Sequence, residues 1–160
     1  MINQRRLKEV LLYRPSTGVF TWRLSTRKTK PGQIAGWVDE DGYRHIRIDR
    51  TLYPAHRLAF VYMTGGWPKN GFVDHKNCIS GDNRWRNLRD VTKRTNQENR
   101  KRAGSNSQTG LLGASPQYGK FVAHITSHGI VHHLGTFRTA EEAHAVYVRA
   151  KRKLHAGCTI

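Results

Sequence analysis

Apolar positions in this chain fall into short runs separated by glycine, proline and charged residues, and their period changes along the sequence. Near the N-terminus Leu7, Val10 and Leu11 recur at helical spacing, which predicts a short helix over Ile2–Tyr13. Pro15-Ser16-Thr17-Gly18 is a turn, and Val19–Trp22 and Ile34–Val38 read as strands on either side of a polar loop, Ser25–Gln33. Asp39-Glu40-Asp41-Gly42 is a hairpin signal, and the Tyr43–Asp49 run behind it alternates with period two. Pro54–Thr64 predicts a helix, because proline suits a first turn and Leu58, Val61 and Tyr62 repeat at helical spacing; Gly65-Gly66 ends it. Phe72–Lys76 and Leu88–Val91 are short strands, and Thr92 is placed to cap a helix running from Lys93 to about Lys101.

The stretch Lys101–Gly110, KRAGSNSQTG, has no large apolar residue and cannot offset its ordering entropy by burial, so it is expected to be a linker. Beyond it Gly113–Gln117, Lys120–Thr126 and Ile130–Phe137 read as three strands, with turns at Gly119 and Ser127-His128-Gly129. Thr139 and Glu142 form a capping box for a last helix, whose apolar face is Ala143, Val146, Tyr147, Ala150 and Leu154; Gly157 is its stop. The organisation expected is therefore residues 1–100, a linker at 101–110, and a three-stranded sheet backed by one helix over 111–160.

Charge changes the picture most. The 160 residues hold 28 Lys and Arg against 11 Asp and Glu, a formal net charge of +17. The excess is +6 over 1–53, +5 over 54–100 and +6 over 101–160, so no region is neutral. That balance points to a polyanionic partner, with nucleic acid ahead of an anionic membrane. No run approaches the ~18 apolar residues of a spanning helix, and Met1–Lys8 lacks a signal-peptide core. Cys78 and Cys158 make no disulfide framework and no Cys-x-x-Cys zinc pair, so a reducing, cytoplasmic setting is expected.

The segment Val73–Arg100 carries the chemistry. Asp74 and His75 are adjacent near a strand end, Asn87 follows twelve residues after His75, and Asn96 nine further on. Phosphodiester hydrolysis needs a group to take a proton from attacking water, and a neutral imidazole does this near pH 7; His75 is the candidate. An amide oxygen such as that of Asn87 can hold the other ring nitrogen. A divalent cation must neutralise the phosphate, and one carboxylate with one amide, Asp74 and Asn96, suits Mg2+ or Mn2+.

These residues resemble the HNH nucleases of the ββα-metal class, in the variant whose third motif residue is Asn. The matching pattern is Asp74-His75, Asp82-Asn83, Asn87-Leu88-Arg89 and Asn96 with Glu98-Asn99. His56-Arg57-Leu58-Ala59 and Gly66-Trp67-Pro68 are similar to the homing branch of phage and introns. The resemblance implies His75 as general base, Asn87 orienting it, Asp74 and Asn96 on the metal, and products bearing 5′-phosphate and 3′-hydroxyl. Where many similar proteins read Asn-Gly, this chain has Asn77-Cys78.

Residues 113–155 resemble the plant Apetala and ethylene-response DNA-binding domain, through GKFVAHI at 119–125, LGTF at 134–137, TAEEA at 139–143 and Tyr147. That resemblance implies a sheet face on duplex DNA, here bearing Ser115, Gln117, Lys120, His124, Thr126 and His133. Further DNA contacts are expected from Arg27, Lys28 and Lys30 in the basic loop, Arg44 and Arg47 on the alternating strand, His56 and Arg57, and Arg84 and Arg86. His124, His128, His132 and His133 cluster near one hairpin, where a zinc site is a minor alternative to solvated histidines.

The reading is an α+β protein: an HNH ββα-metal domain preceded by short antiparallel strands, then a three-stranded antiparallel sheet on one helix. Its expected function is a metal-dependent DNA endonuclease of the homing type, a monomer that nicks double-stranded DNA. A DNA-binding regulator on the same scaffold that does not cut, and an RNA-binding protein, are the alternatives.

Overall fold

The computed structural model describes residues 1–100 and 102–155. Two compact units divide the chain, Met1–Lys93 and Arg94–Ile160. Lys101, Gly157 and Cys158, which enter the linker, the helix stop and the cysteine reading, lie outside the described residues. Among the described residues, four helices and small antiparallel sheets make a mixed α and β protein.

In the first unit, α1 (Gln4–Val10) is capped by Asn3, whose side chain accepts from the Arg6 backbone N–H. The expected helix to Tyr13 stops short. Leu11–Arg14 forms strand β1, with burial alternating residue by residue, and pairs antiparallel with β2 (Val19–Trp22). Pairing with β2 is the physical reason: the Arg14–Gly18 turn returns the chain as a hairpin, and Leu11 and Tyr13 are buried opposite Trp22 and Phe20. The predicted strand over Ile34–Val38 shrinks to β3 (Trp37–Val38), with Ile34 making a single bridge to Thr21.

Strand β3 pairs with β4 (Arg44–Ile48), and β4 pairs with β5 (Thr51–Pro54). The sequence reading missed β5. Its turn, Asp49-Arg50, has φ of 47° and 67°, a left-handed pair normally announced by Asn-Gly. Helix α2 (Ala55–Thr64) follows at once and ends at Gly65, whose φ of 85° only glycine adopts without strain. It buries Ala55, Leu58, Ala59 and Val61 against a core built on Leu7, Leu11, Phe20 and Ile46, all fully enclosed. A fully buried Leu or Phe contributes about 1.5–3 kcal/mol each, which anchors the sheet and α2 to each other. Strands β6 (Phe72–His75) and β7 (Leu88–Val91) form an antiparallel pair, with one 3-10 turn, Trp85–Asn87, leading into β7.

The boundary between the units falls after the first residue of α3 (Lys93–Glu98), where Arg94 pairs with Glu98 at 2.8 Å. Strands β8 (Ala114–Gln117), β9 (Lys120–Ser127) and β10 (Ile130–Phe137) make one antiparallel sheet with β9 central. Helix α4 (Ala140–Leu154) has the Thr139–Glu142 capping box in place and Lys151, Arg152 and Lys153 in its last turn, where the helix dipole favours them. It packs on the sheet face bearing Ala123 and Phe121, through Ala143. Gly113 lies beneath the Tyr147 ring, so close that a Cβ there would fall 2.0 Å from it. The other sheet face is open, and on it Ser115, Gln117, Lys120, His124, Thr126 and His133 are exposed.

Candidate active site

The β6–β7 register sets Asp74 opposite Arg89 and His75 opposite Leu88. Lys76 N–H donates to Asn87 O at 2.9 Å, extending the ladder one step beyond β6 before the chain leaves as a loop. Val73, Asp74 and His75 are all buried, so both sides of the strand are covered at its end. Neighbouring strand residues point to opposite sides, and the two polar side chains have different partners. Asp74 accepts from Arg89 Nε at 2.9 Å and pairs with its Nη2 at 2.8 Å. His75 meets a loop amide and two aromatic rings.

The loop from Lys76 to Asn87 braces itself. Asn87 Nδ2 donates to Asn77 Oδ1 at 2.9 Å and to Asp82 O at 2.8 Å, while its Oδ1 accepts from Asn77 N–H at 3.1 Å. Asn77 Nδ2 donates to Asp82 Oδ2 at 2.7 Å, and Arg84 Nε donates to Asp82 Oδ1 at 2.7 Å. The Arg84 hydrogen bond, ahead of every other influence, holds the Asp82 carboxyl down at about 2. Cys78 sits in this loop at φ 58°, which explains why glycine is the easier residue there.

The amide that reaches His75 is not the one expected. His75 Nε2 lies 3.0 Å from Asn83 Oδ1, whereas Asn87 is occupied on both amide atoms by the loop itself. Asn83 belongs to the Asp82-Asn83 pair, visible in the sequence but without a role assigned. Its placement comes from remote residues. Tyr13 O–H donates to Asn83 O at 2.6 Å, Trp85 N–H donates to Pro15 O at 3.0 Å, and Gly18 packs so tightly that a Cβ would fall 2.4 Å from the Asn83 carbonyl carbon. The β1–β2 hairpin turn thus seats the residue that holds His75.

An amide oxygen can only accept, so the neutral His75 tautomer has its proton on Nε2 and its basic lone pair on Nδ1. Burial lowers the His75 pKa; the Asn83 bond and the charges of Asp74 and Asp82 work against that shift. His56, on α2, presents its ring edge-to-face at 5.1 Å, and Tyr43 is 6.0 Å from His75 and 5.6 Å from His56. Burial, followed by the charges of His75, Arg57 and His45, pushes His56 down to about 3. Both imidazoles are therefore neutral at pH 7.

His56, expected as a DNA contact, thus stands against His75. Arg84 is committed to Asp82, and Arg44 Nη1 donates to the backbone oxygens of Ala35 and Gly36 at 3.2 Å. Arg57 lies 5.2 Å over the Trp67 ring. Arg27, Lys28, Lys30, Arg47 and Arg86 are exposed. Asn96 is half-buried on α3, in the second unit.

Among the described residues no three His, Cys, Asp or Glu side chains gather as a metal site. The buried carboxylate of Asp74 is a hard oxygen donor, of the kind that suits a cation completing its shell with water and phosphate and does not suit a soft metal. No helix among the described residues is long and apolar enough to cross a membrane.

A family model described as HNH endonuclease matches residues 53–98, from β5 through α3, and so contains every residue of the loop and both strands described above. The match points to nuclease activity on DNA, and nucleases of this family generally use a divalent metal ion. No curated protein and no solved structure matches the chain.

Proposed function

We propose that the protein is a metal-dependent DNA endonuclease of the homing type that nicks one strand of a duplex. One observation carries the reading: within the matched segment, a buried, neutral histidine at a strand end has its Nε2 on an amide oxygen, which sets the tautomer whose basic lone pair is on Nδ1. His75 Nδ1 takes the proton as water oxygen bonds to phosphorus, the P–O3′ bond breaks, and the leaving oxygen takes a proton from solvent water, which gives a 3′-hydroxyl and a 5′-phosphate. Asn83 holds the imidazole, and Asn87 keeps the loop that presents Asn83. Asp74 and, from the sequence pattern alone, Asn96 are the residues proposed to hold Mg2+ or Mn2+, which supplies charge neutralisation at the phosphate and leaving oxygen.

Residues 1–100 are proposed as the nuclease domain, 101–110 as a linker and 111–160 as an Apetala-like duplex-docking module. The open face of β8–β10 supports the last of these. It offers Lys120, His124, Thr126 and His133 to phosphates and base edges. A monomer with two weak DNA contacts joined by a linker gains affinity from both.

The test is cleavage of supercoiled plasmid at low salt in Mg2+, Mn2+ or EDTA, beside His75→Ala. Metal-dependent open circle, absent in the variant, supports the reading. Tight DNA binding with no cutting in any metal overturns it in favour of a DNA-binding regulator.

A further inference from the structure

The first unit has an open cleft that folding does not account for. It measures about 570 Å3 and lies between the Trp22–Gln33 segment and the outer face of β4. Its wall is apolar yet wet: Leu24 is 47 %, Ile34 54 % and Trp37 47 % exposed, and Trp22 also lines it. A chain of charge +17 could have placed polar residues at these positions at no cost to its core.

The rim sorts the charges. Arg6 is tied to Asp49 by two hydrogen bonds of 2.9 Å, so that pair is neutral. Lys28 and Arg47 are exposed and line the same cleft. Around Lys28 the loop is closed by Thr26 N–H donating to Thr29 O at 2.9 Å and by the two threonine hydroxyls 2.8 Å apart, so the lysine sits on a built turn. The cleft therefore combines a flat indole on an edge strand, an aliphatic wall and two cations. An apolar ligand alone has no need of the cations, and a duplex backbone alone has no need of the indole. A nucleotide uses both, and the volume is within the roughly 300–1,000 Å3 typical of sites for organic ligands.

We propose that this cleft takes one unpaired nucleotide of the bound DNA, its base stacked on Trp37 between Leu24 and Ile34 and its phosphate held by Lys28 and Arg47. The inference rests on the reading of the protein as DNA-binding, and deepens it. The strand is read here by stacking, which every base can provide, so the cleft selects for an unstacked base and not for sequence.

The experiment uses the full chain in EDTA and three fluorescein-labelled duplexes: fully paired, with one unpaired thymine, and with an abasic residue at the same bulge. The wild type binds the thymine bulge about tenfold more tightly than the abasic bulge. Trp37→Ala abolishes that preference, and Trp37→Phe, which keeps an aromatic face, restores it. Lys28→Ala with Arg47→Ala weakens binding to both bulges and flattens the salt dependence by about two released ions. Equal binding of the two bulges by the wild type, or an unchanged preference in Trp37→Ala, overturns the proposal. A preference that survives in a protein unable to cut plasmid supports the cleft and counts against the nuclease alone. No binding to any duplex overturns the cleft and the DNA reading together.

Discussion

Acidification to pH 4.5 is a sharp test of the histidine pair, because His56 must stay neutral to remain where it is. In the unfolded chain its pKa is near 6.5; in the folded protein it is about 3. Between those values the unfolded state binds a proton that the folded state refuses. His56 thus has no effect on stability above pH 6.5, and stability falls as pH drops below it, by about 1.4 kcal/mol per pH unit. From pH 6.5 to 4.5 the loss is about 2.5 kcal/mol, a large share of the roughly 5–15 kcal/mol that holds a domain together. His75 shifts in the same direction and adds to the slope. Asp39, Asp49 and Asp82, whose pKa values are lowered, lose their contribution only below their ordinary value of 3.8, outside this window. His56→Gln removes one titrating group and should flatten the curve by about 1.4 kcal/mol per unit. All four tryptophans, Trp22, Trp37, Trp67 and Trp85, lie in the first unit, so urea unfolding followed by tryptophan fluorescence in EDTA reads that unit alone. Parallel pH curves for wild type and His56→Gln would refute the reasoning.

Three further outcomes separate positioning from scaffolding in the same site. Asn83→Ala loses one hydrogen bond, about 1 kcal/mol of stability, and takes away the amide that sets the His75 tautomer; plasmid nicking should drop roughly 10²-fold while the urea midpoint moves little. Asn87→Ala removes three side-chain hydrogen bonds inside the loop and should cost about 2–4 kcal/mol, so its loss of nicking should be matched by a loss of urea resistance. Gly18→Ala places a Cβ 2.4 Å from the Asn83 backbone at a φ of 76°; it should destabilise the first unit by about 2 kcal/mol or more and suppress nicking, and wild-type activity in this variant would count against the hairpin as the seat of Asn83.

Much of the molecule is decided over short spans of sequence. Strands β7, β8, β9 and β10 fall within a residue or so of where alternation and turns place them, and α4 starts just after Thr139 because the capping box is a four-residue device. Asp74, His75, Asn87 and Asn96 are identified as candidates by residue type and spacing alone, since phosphodiester chemistry requires a base, an amide and oxygen donors. Local reading fails where a competing interaction lies far off in sequence. Helix α1 yields to β1 because Phe20 and its strand offer Leu11 and Tyr13 a better burial, and β5 exists because Asp49 and Arg50 accept left-handed backbone, with Asp49 held by Arg6. The His75 partner is decided the same way. The sequence reading assigns Asn87, twelve residues on, to the imidazole and gives Asn83 no role. The loop consumes Asn87 in its own bracing, and Tyr13 and Gly18, some seventy positions upstream, pin Asn83 under the imidazole. Residue chemistry is a property of the sequence, but which of two like amides holds a histidine depends on packing between segments that only the folded chain brings together.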